Sequence, residues 1–495
     1  MTHMTTTQTL QAQETLDPQD WDELRALGHR MVDDLLEYLR TVRDRPVWRP
    51  IPAELRARFR SPVPRLPEGA ERAYRDFKEH VLPHPMGNIH PRFWGWVIGT
   101  GTPLGAMSEM LAAGMNPNMG GGDHVPNHVE AQVLDWCKEM LGYPQSASGL
   151  LLSGGSMANL VGLTVARNSR AGVDVRRAGV RGAAAPLTMY GSSEMHSSVQ
   201  KAVELLGLGS EALRIVPVTP AYEIDVAALE TMIREDRAAG CRPICVIANA
   251  GTVNTGALDD LEALVALCAR ERIWLHVDGA FGAFAALVPE YRARLAPIAA
   301  ADSLAFDLHK WMYIPFEAGC TLVRDAETHR RAFSLTPDYL SHAERGLAAG
   351  ELWFSDYGIQ LSRGFRALKV WMSLKEHGLD KYARLVRQNI EQARCLGELV
   401  REAPNLELAA PIPLNIVCFR YVTSELSEEG LDALNQELLI QLHERGIAVT
   451  SNALLNGRLA LRVAIVNHRS RLEDFDLLVH EVRRIGAQLA KLRVW

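Results

Sequence analysis

The chain has no surplus of basic charge: 53 Lys and Arg stand against 59 Asp and Glu, for a formal net charge of -6. Nucleic-acid binders carry a basic excess or stripe, so no nucleic-acid partner is expected. Cysteine is sparse, odd in number and scattered (Cys137, Cys241, Cys245, Cys268, Cys320, Cys395, Cys418). Cys241 and Cys245 have no second pair to complete a zinc site, and the simplest reading is reduced thiols in a cytoplasmic protein. No apolar run reaches the ~18 residues of a membrane span. The opening "MTHMTTTQTLQAQETLD" has no apolar segment of the kind a signal peptide needs, so neither membrane nor export is expected. There is no internal repeat.

What is present is apolar material: 47% of 495 residues, enough for two or three domains. Trp21, Leu24, Gly28, Met31, Val32, Leu35, Leu36 and Leu39 recur at helical spacing, with Asp17 as expected N-cap and Pro18 in the first turn. Residues 1–100 read as an appended helical segment. From there strands alternate with helices: 186–191, 213–218, 244–251, 273–280, 302–307 and 320–324 read as strands, with helices at 197–207, 225–240 and 259–272. This alternation predicts an α/β domain over 101–372, a mostly parallel sheet with helices on both faces. Over 373–495 a long helix (381–403), two strands (415–422, 459–466) and a last helix (472–492) predict a smaller α+β domain.

In such sheets ligands bind beyond the carboxyl ends of the strands, and polar motifs collect there. "LLSGGSMANL" (151–160) is a glycine turn running into a helix, suited to a phosphate. "GSSEMHSSVQKA" puts His196 just past a strand. "HVDGAFGA" puts Asp278 at a strand end. "LAFDLHKW" (304–311) ends an apolar strand in Asp307, His309 and Lys310. Each motif alone has a plain reading: a tight turn, a surface histidine, a helix cap, a solvated lysine. Together, with Asp278 and Lys310 about one strand–helix–strand unit apart, they supply what pyridoxal 5'-phosphate (PLP) requires. The lysine amine forms a Schiff base with the cofactor aldehyde, a carboxylate keeps the pyridine nitrogen protonated, a flat imidazole stacks on the ring, and Gly279 and Ala280 leave room on its other face.

On "WLHVDGAFG", "ADSLAFDLHKW" and "GFRALKVW" (364–371) the chain resembles the group II pyridoxal-dependent amino-acid decarboxylases, over nearly its whole length after residue 17. The resemblance implies a PLP-dependent transferase-like fold of type I with a seven-stranded sheet, a homodimer with N-terminal helices wrapped over the partner, and a site at the dimer interface. It implies that Lys310 is the Schiff-base lysine, Asp278 the pyridine partner and His196 the stacking residue. Ala280 is then placed against the ring, and Gly155, Ser156, Met157, Thr252, Asp307 and His309 are placed around the cofactor. Arg462, in "LALRVAIV", is placed to hold the substrate carboxylate, and Tyr339, in "FSLTPDYLSH", lies on a loop resembling the mobile catalytic loop, where related enzymes use tyrosine to protonate Cα. Two positions depart from the pattern: Ala158 stands where aromatic enzymes have a phosphate-binding serine, and Asp307 replaces a common asparagine.

The expected activity is decarboxylation of an L-amino acid to its amine and CO2. "HPRFWGW" and "GMNPNMGGGDHVP" echo the enzymes acting on acidic amino acids, whereas the catalytic half resembles the aromatic ones more closely. Trp94, Trp96 and Ser362 are the candidate side-chain contacts, and an aromatic substrate is expected. Alternatives are an acidic or polar amino acid, or oxygen-dependent aldehyde synthesis, against which Tyr339 argues.

Overall fold

The computed structural model describes residues 14–335 and 343–492. Two compact units are present: residues up to Arg45 with Pro50–Pro85, and Pro46–Arg49 with everything from Met86 onward.

In the first unit, helix α1 spans Trp21–Arg40. It is capped by Asp20, not by the expected Asp17: Asp20 Oδ1 accepts from the N–H groups of Asp22 (2.8 Å) and Glu23 (3.0 Å), satisfying two donors that lack helical partners. Tyr74 and Lys78 both donate to Asp34 at 2.7 Å, tying α1 to the segment that follows Ala70.

The second unit holds both sheets. Strands β1 (Ser148–Leu152), β2 (Leu187–Ser192), β3 (Leu213–Val216), β4 (Arg242–Asn249), β5 (Trp274–Asp278), β6 (Ser303–Asp307) and β7 (Gly319–Val323) form one sheet in the order β1-β7-β6-β5-β4-β2-β3. β7 runs antiparallel to β1 and β6, and the remaining pairs are parallel. β2, β5, β6 and β7 are buried along their whole length, because helices cover both faces. β8 (Leu406–Leu408), β9 (Ile416–Tyr421), β10 (Ser451–Leu455) and β11 (Arg458–Ala464) form the second sheet, antiparallel in the order β10-β11-β9-β8. Its own core, around Leu434, Phe419 and Phe475, is closed by helices Leu379–Glu402, Glu428–Glu444 and Leu472–Lys491. β8 and β10 have no counterpart in the sequence reading. One is three residues long, and the other alternates buried and exposed positions.

Parallel register sets the site. Asn249 pairs with Asp278 and Asp278 with Ala305, so β4, β5 and β6 end together on one rim. β1 ends beside them and leads through Gly154 into helix α2 (Gly155–Arg170). The turn lies so close to β7 that a Cβ on Gly319 would stand 2.4 Å from Gly154 Cα.

Candidate active site

A cavity of about 470 Å³ opens on this rim. It is lined by Asp278, the last residue of β5, by His196, which precedes helix α3 (Ser197–Leu205), and by Lys310, on the short turn of helix Leu308–Trp311 that follows β6. Of the residues expected around a cofactor, Gly155, Ser156, Met157, His196, Asp278, Ala280, Asp307, His309 and Lys310 all line it.

Asp307 is buried and its Oδ2 stands 2.8 Å from Lys310 Nζ. Burying an ammonium demands a partner of this kind. Asp307 Oδ1 has no hydrogen-bond partner among the described residues. A Cβ on Gly155 would lie 2.9 Å from Asp307 Oδ2, so only glycine lets the turn close over this carboxylate. His309 accepts from the Ala318 N–H at 3.1 Å and lies against Phe316, ring centroids 4.4 Å apart. Burial lowers the His309 pKa and keeps the ring neutral, outweighing nearby Asp307.

Asp278 Oδ2 accepts from Asn159 Nδ2 (2.8 Å) and Oδ1 from the Ala280 N–H (3.0 Å). It has no cationic partner among the described residues. His196 Nδ1 accepts from the Ser198 N–H (3.1 Å) and contacts the Ser198 hydroxyl (2.8 Å). Desolvation pushes the His196 pKa down; Asp278 opposes this and the Lys310 charge adds to it.

Arg462 comes from β11 and is buried. Its Nε donates to Asn254 O (3.1 Å), Nη1 to Trp96 O (3.0 Å) and Ser451 Oγ (3.1 Å), and Nη2 to Val253 O. No carboxylate pairs with it among the described residues. Burial lowers its pKa to about 10, which leaves it cationic at neutral pH.

The remaining expected residues are not all brought to this cavity. Trp94 does not reach the cavity: it stacks on Phe475 (4.9 Å between centroids) and donates to Ser470 Oγ at 3.0 Å, inside the second core. Trp96, two residues on, does line the cavity and is half exposed, at φ +52°. Thr252 is buried beside the site but is not part of its lining. Its hydroxyl accepts from the Ala257 N–H (3.0 Å) and contacts Thr255 Oγ1 (3.0 Å), closing a turn. Ser362 is exposed and away from the cavity. Tyr339 lies outside the described residues. Asn159, Ser198, Asn249, Val253, Phe281, Phe316 and Glu317 line the cavity without having been foreseen.

The residues fit PLP. An uncapped helix N-terminus faces the cavity and suits a phosphate. A buried carboxylate without a cation suits a protonated ring nitrogen, and a lysine amine lines the same cavity. The site therefore defines a PLP enzyme of fold type I.

The comparisons carry this further. The chain matches the pyridoxal-dependent decarboxylase conserved domain over residues 52–422. It is 34% identical to an aromatic-L-amino-acid decarboxylase of Bacillus atrophaeus, over 95% of this chain and 96% of that one. It is 30% identical to a phenylacetaldehyde synthase of Arabidopsis thaliana, over 91% and 93%. A crystal structure of Oryza sativa TDC with PLP and tryptamine superposes with a TM-score of 0.88 at 26% identity, covering 96% of this chain and all of the other. The chain belongs to the pyridoxal-dependent decarboxylase family and is a PLP-dependent L-amino-acid decarboxylase.

Proposed function

We propose that the substrate is an aromatic L-amino acid and the product its amine. The observation that carries this is the cavity's charge. Lys310 and Arg462 are its only Lys or Arg among the described residues, and both have tasks at the reacting end. A side-chain carboxylate would find no third cation, and would meet Glu317. An aromatic ring would find Trp96, Val97, Phe281 and Phe316.

PLP, when bound, supplies an aldehyde that captures the substrate amine and a ring that accepts the electrons left as CO2 departs. The chain's residues do the rest. Lys310 would offer its amine to the aldehyde, and Asp307 holds that amine at 2.8 Å. Asp278 would keep a proton on the ring nitrogen, His196 would stack on the ring, and the α2 N-terminus would bind the phosphate. Arg462 draws the substrate carboxylate through its remaining N–H. Tyr339 delivers the proton to Cα.

The protein acts as a homodimer in this reading. The half-exposed Met110, Leu111 and Met115 on helix Pro103–Met115, and Phe316 at the cavity mouth, support a covering partner. Residues 1–100 form the dimerisation segment, 101–372 the large domain and 373–495 the small one, in the cytoplasm. Among the described residues no helix is long and apolar enough to cross a membrane.

The test is CO2 release from a panel of amino acids by the cofactor-loaded enzyme. Release from aromatic members alone supports the reading, and release from glutamate or cysteine sulfinate alone overturns it. The phenylacetaldehyde synthase relative favours a second reading, aldehyde formation with oxygen. Oxygen consumption matching CO2 release would establish that instead.

A further inference from the structure

We propose that Asn159 is a positioning residue that orients the Asp278 carboxylate and aligns His196, so that one buried amide serves both faces of the cofactor pocket. The inference rests on the PLP reading of this cavity.

Asn159, on α2, is fully buried. Its Nδ2 donates to Asp278 Oδ2 (2.8 Å) and to Ser198 Oγ (3.2 Å). Its Oδ1 faces His276 Nε2 at 2.9 Å, and His276 Nδ1 faces Ser303 Oγ at 2.7 Å. Trp274 Nε1 donates to that same Ser303 oxygen at 2.8 Å.

Donor and acceptor chemistry fixes every proton in this chain. A carboxylate only accepts, so the amide nitrogen must face Asp278. The amide oxygen only accepts, so His276 carries its proton on Nε2. Neutral His276 then accepts at Nδ1, so Ser303 gives its hydroxyl proton there and takes the indole N–H on a lone pair. On the other branch Ser198 accepts from Asn159, and its own proton goes to His196 Nδ1. That nitrogen also accepts the Ser198 N–H. His196 therefore bears its proton on Nε2.

Asp278 shares its cavity with Lys310, Arg462, Asp307, Glu317, His196 and His309, and His276 lies on its own strand beyond Asn159. Ala280 supplies its other donor. Asn159 thus gives Asp278 its side-chain hydrogen bond among the described residues, and so fixes the direction in which that carboxylate faces the cavity.

The experiment measures PLP affinity at about pH 7.5, read by quenching of intrinsic fluorescence, together with the visible circular dichroism of the bound cofactor, in wild type, Asn159→Leu, Asn159→Ala and Ser198→Ala. Loss of the amide donor to Asp278 weakens PLP affinity about tenfold and changes the dichroic band of the cofactor that does bind. Ser198→Ala leaves the Asn159–Asp278 bond intact, so its affinity stays within about threefold of wild type. Asn159→Ala keeps the test open where the leucine variant does not fold. An unchanged affinity and dichroic band in folded Asn159→Ala would overturn the inference, as would a loss of the same size in Ser198→Ala. A wild-type protein that takes up no PLP would overturn the cofactor reading itself.

Discussion

Replacing Arg462 with methionine removes a buried charge while roughly keeping its stem. A guanidinium has five N–H groups. Four are engaged with Asn254 O, Trp96 O, Ser451 Oγ and Val253 O, which leaves one on Nη2. If that one meets the substrate carboxylate, its loss removes a single charge-assisted bond, worth about 1.5–3 kcal/mol. At about 1.4 kcal/mol per tenfold, kcat/KM falls about 10- to 150-fold. The variant also leaves carbonyls at Val253 and Trp96 without this donor, so a lower Tm is expected. The assay is steady-state decarboxylation beside a melt, with Arg462→Lys as control: lysine keeps the charge but not the fork. A methionine variant whose kcat/KM changes less than threefold would refute a role in carboxylate binding and leave Arg462 as a brace for the loop at 253–254.

Three further outcomes are expected. Trp94→Phe should cost about 1–2 kcal/mol in a denaturant melt, from the lost indole hydrogen bond and ring contact, with KM unchanged. A changed KM would return Trp94 to the site. Gly319→Ala should weaken PLP binding measured by fluorescence quenching, because its Cβ would press on Gly154 and displace the phosphate turn; unaltered affinity would show that the turn yields freely. Burial pushes the His276 pKa down to about 4, so the unfolded chain binds its proton more tightly than the folded one. Stability from this residue is full above pH 6.5 and is lost as pH falls towards 4. Wild type should therefore lose about 2 kcal/mol more than His276→Gln between pH 7 and pH 5 in urea melts. Equal losses would contradict the buried neutral ring.

The chemistry-bearing residues were legible because each sits in a short local motif at a strand end. Lys310 and Asp307 follow one apolar strand, and Asp278 ends another. Such motifs place a side chain on the rim without knowledge of the rest of the fold. The supporting residues were not legible in the same way. Asn159 meets Asp278 and His276 across more than a hundred residues, and only the register of β5 beside α2 brings them together. Trp94 and Trp96 looked alike as candidates, yet the chain's course at residues 93–97 sends one ring into the second core and the other to the cavity. Thr252 is near the cofactor pocket in space, but its hydroxyl is consumed by its own turn. The helix start shows the same limit: Asp17 and Asp20 both suit a cap, and the backbone takes the one whose oxygen reaches two free N–H groups.

The most direct test of the account is product analysis by mass spectrometry. The PLP-loaded protein would be incubated separately with tyrosine, DOPA, phenylalanine, tryptophan, 5-hydroxytryptophan, histidine, glutamate, aspartate and cysteine sulfinate. The account predicts amines from the aromatic members and none from the acidic ones. Amines from the acidic members alone, or aldehydes in place of amines, would contradict it.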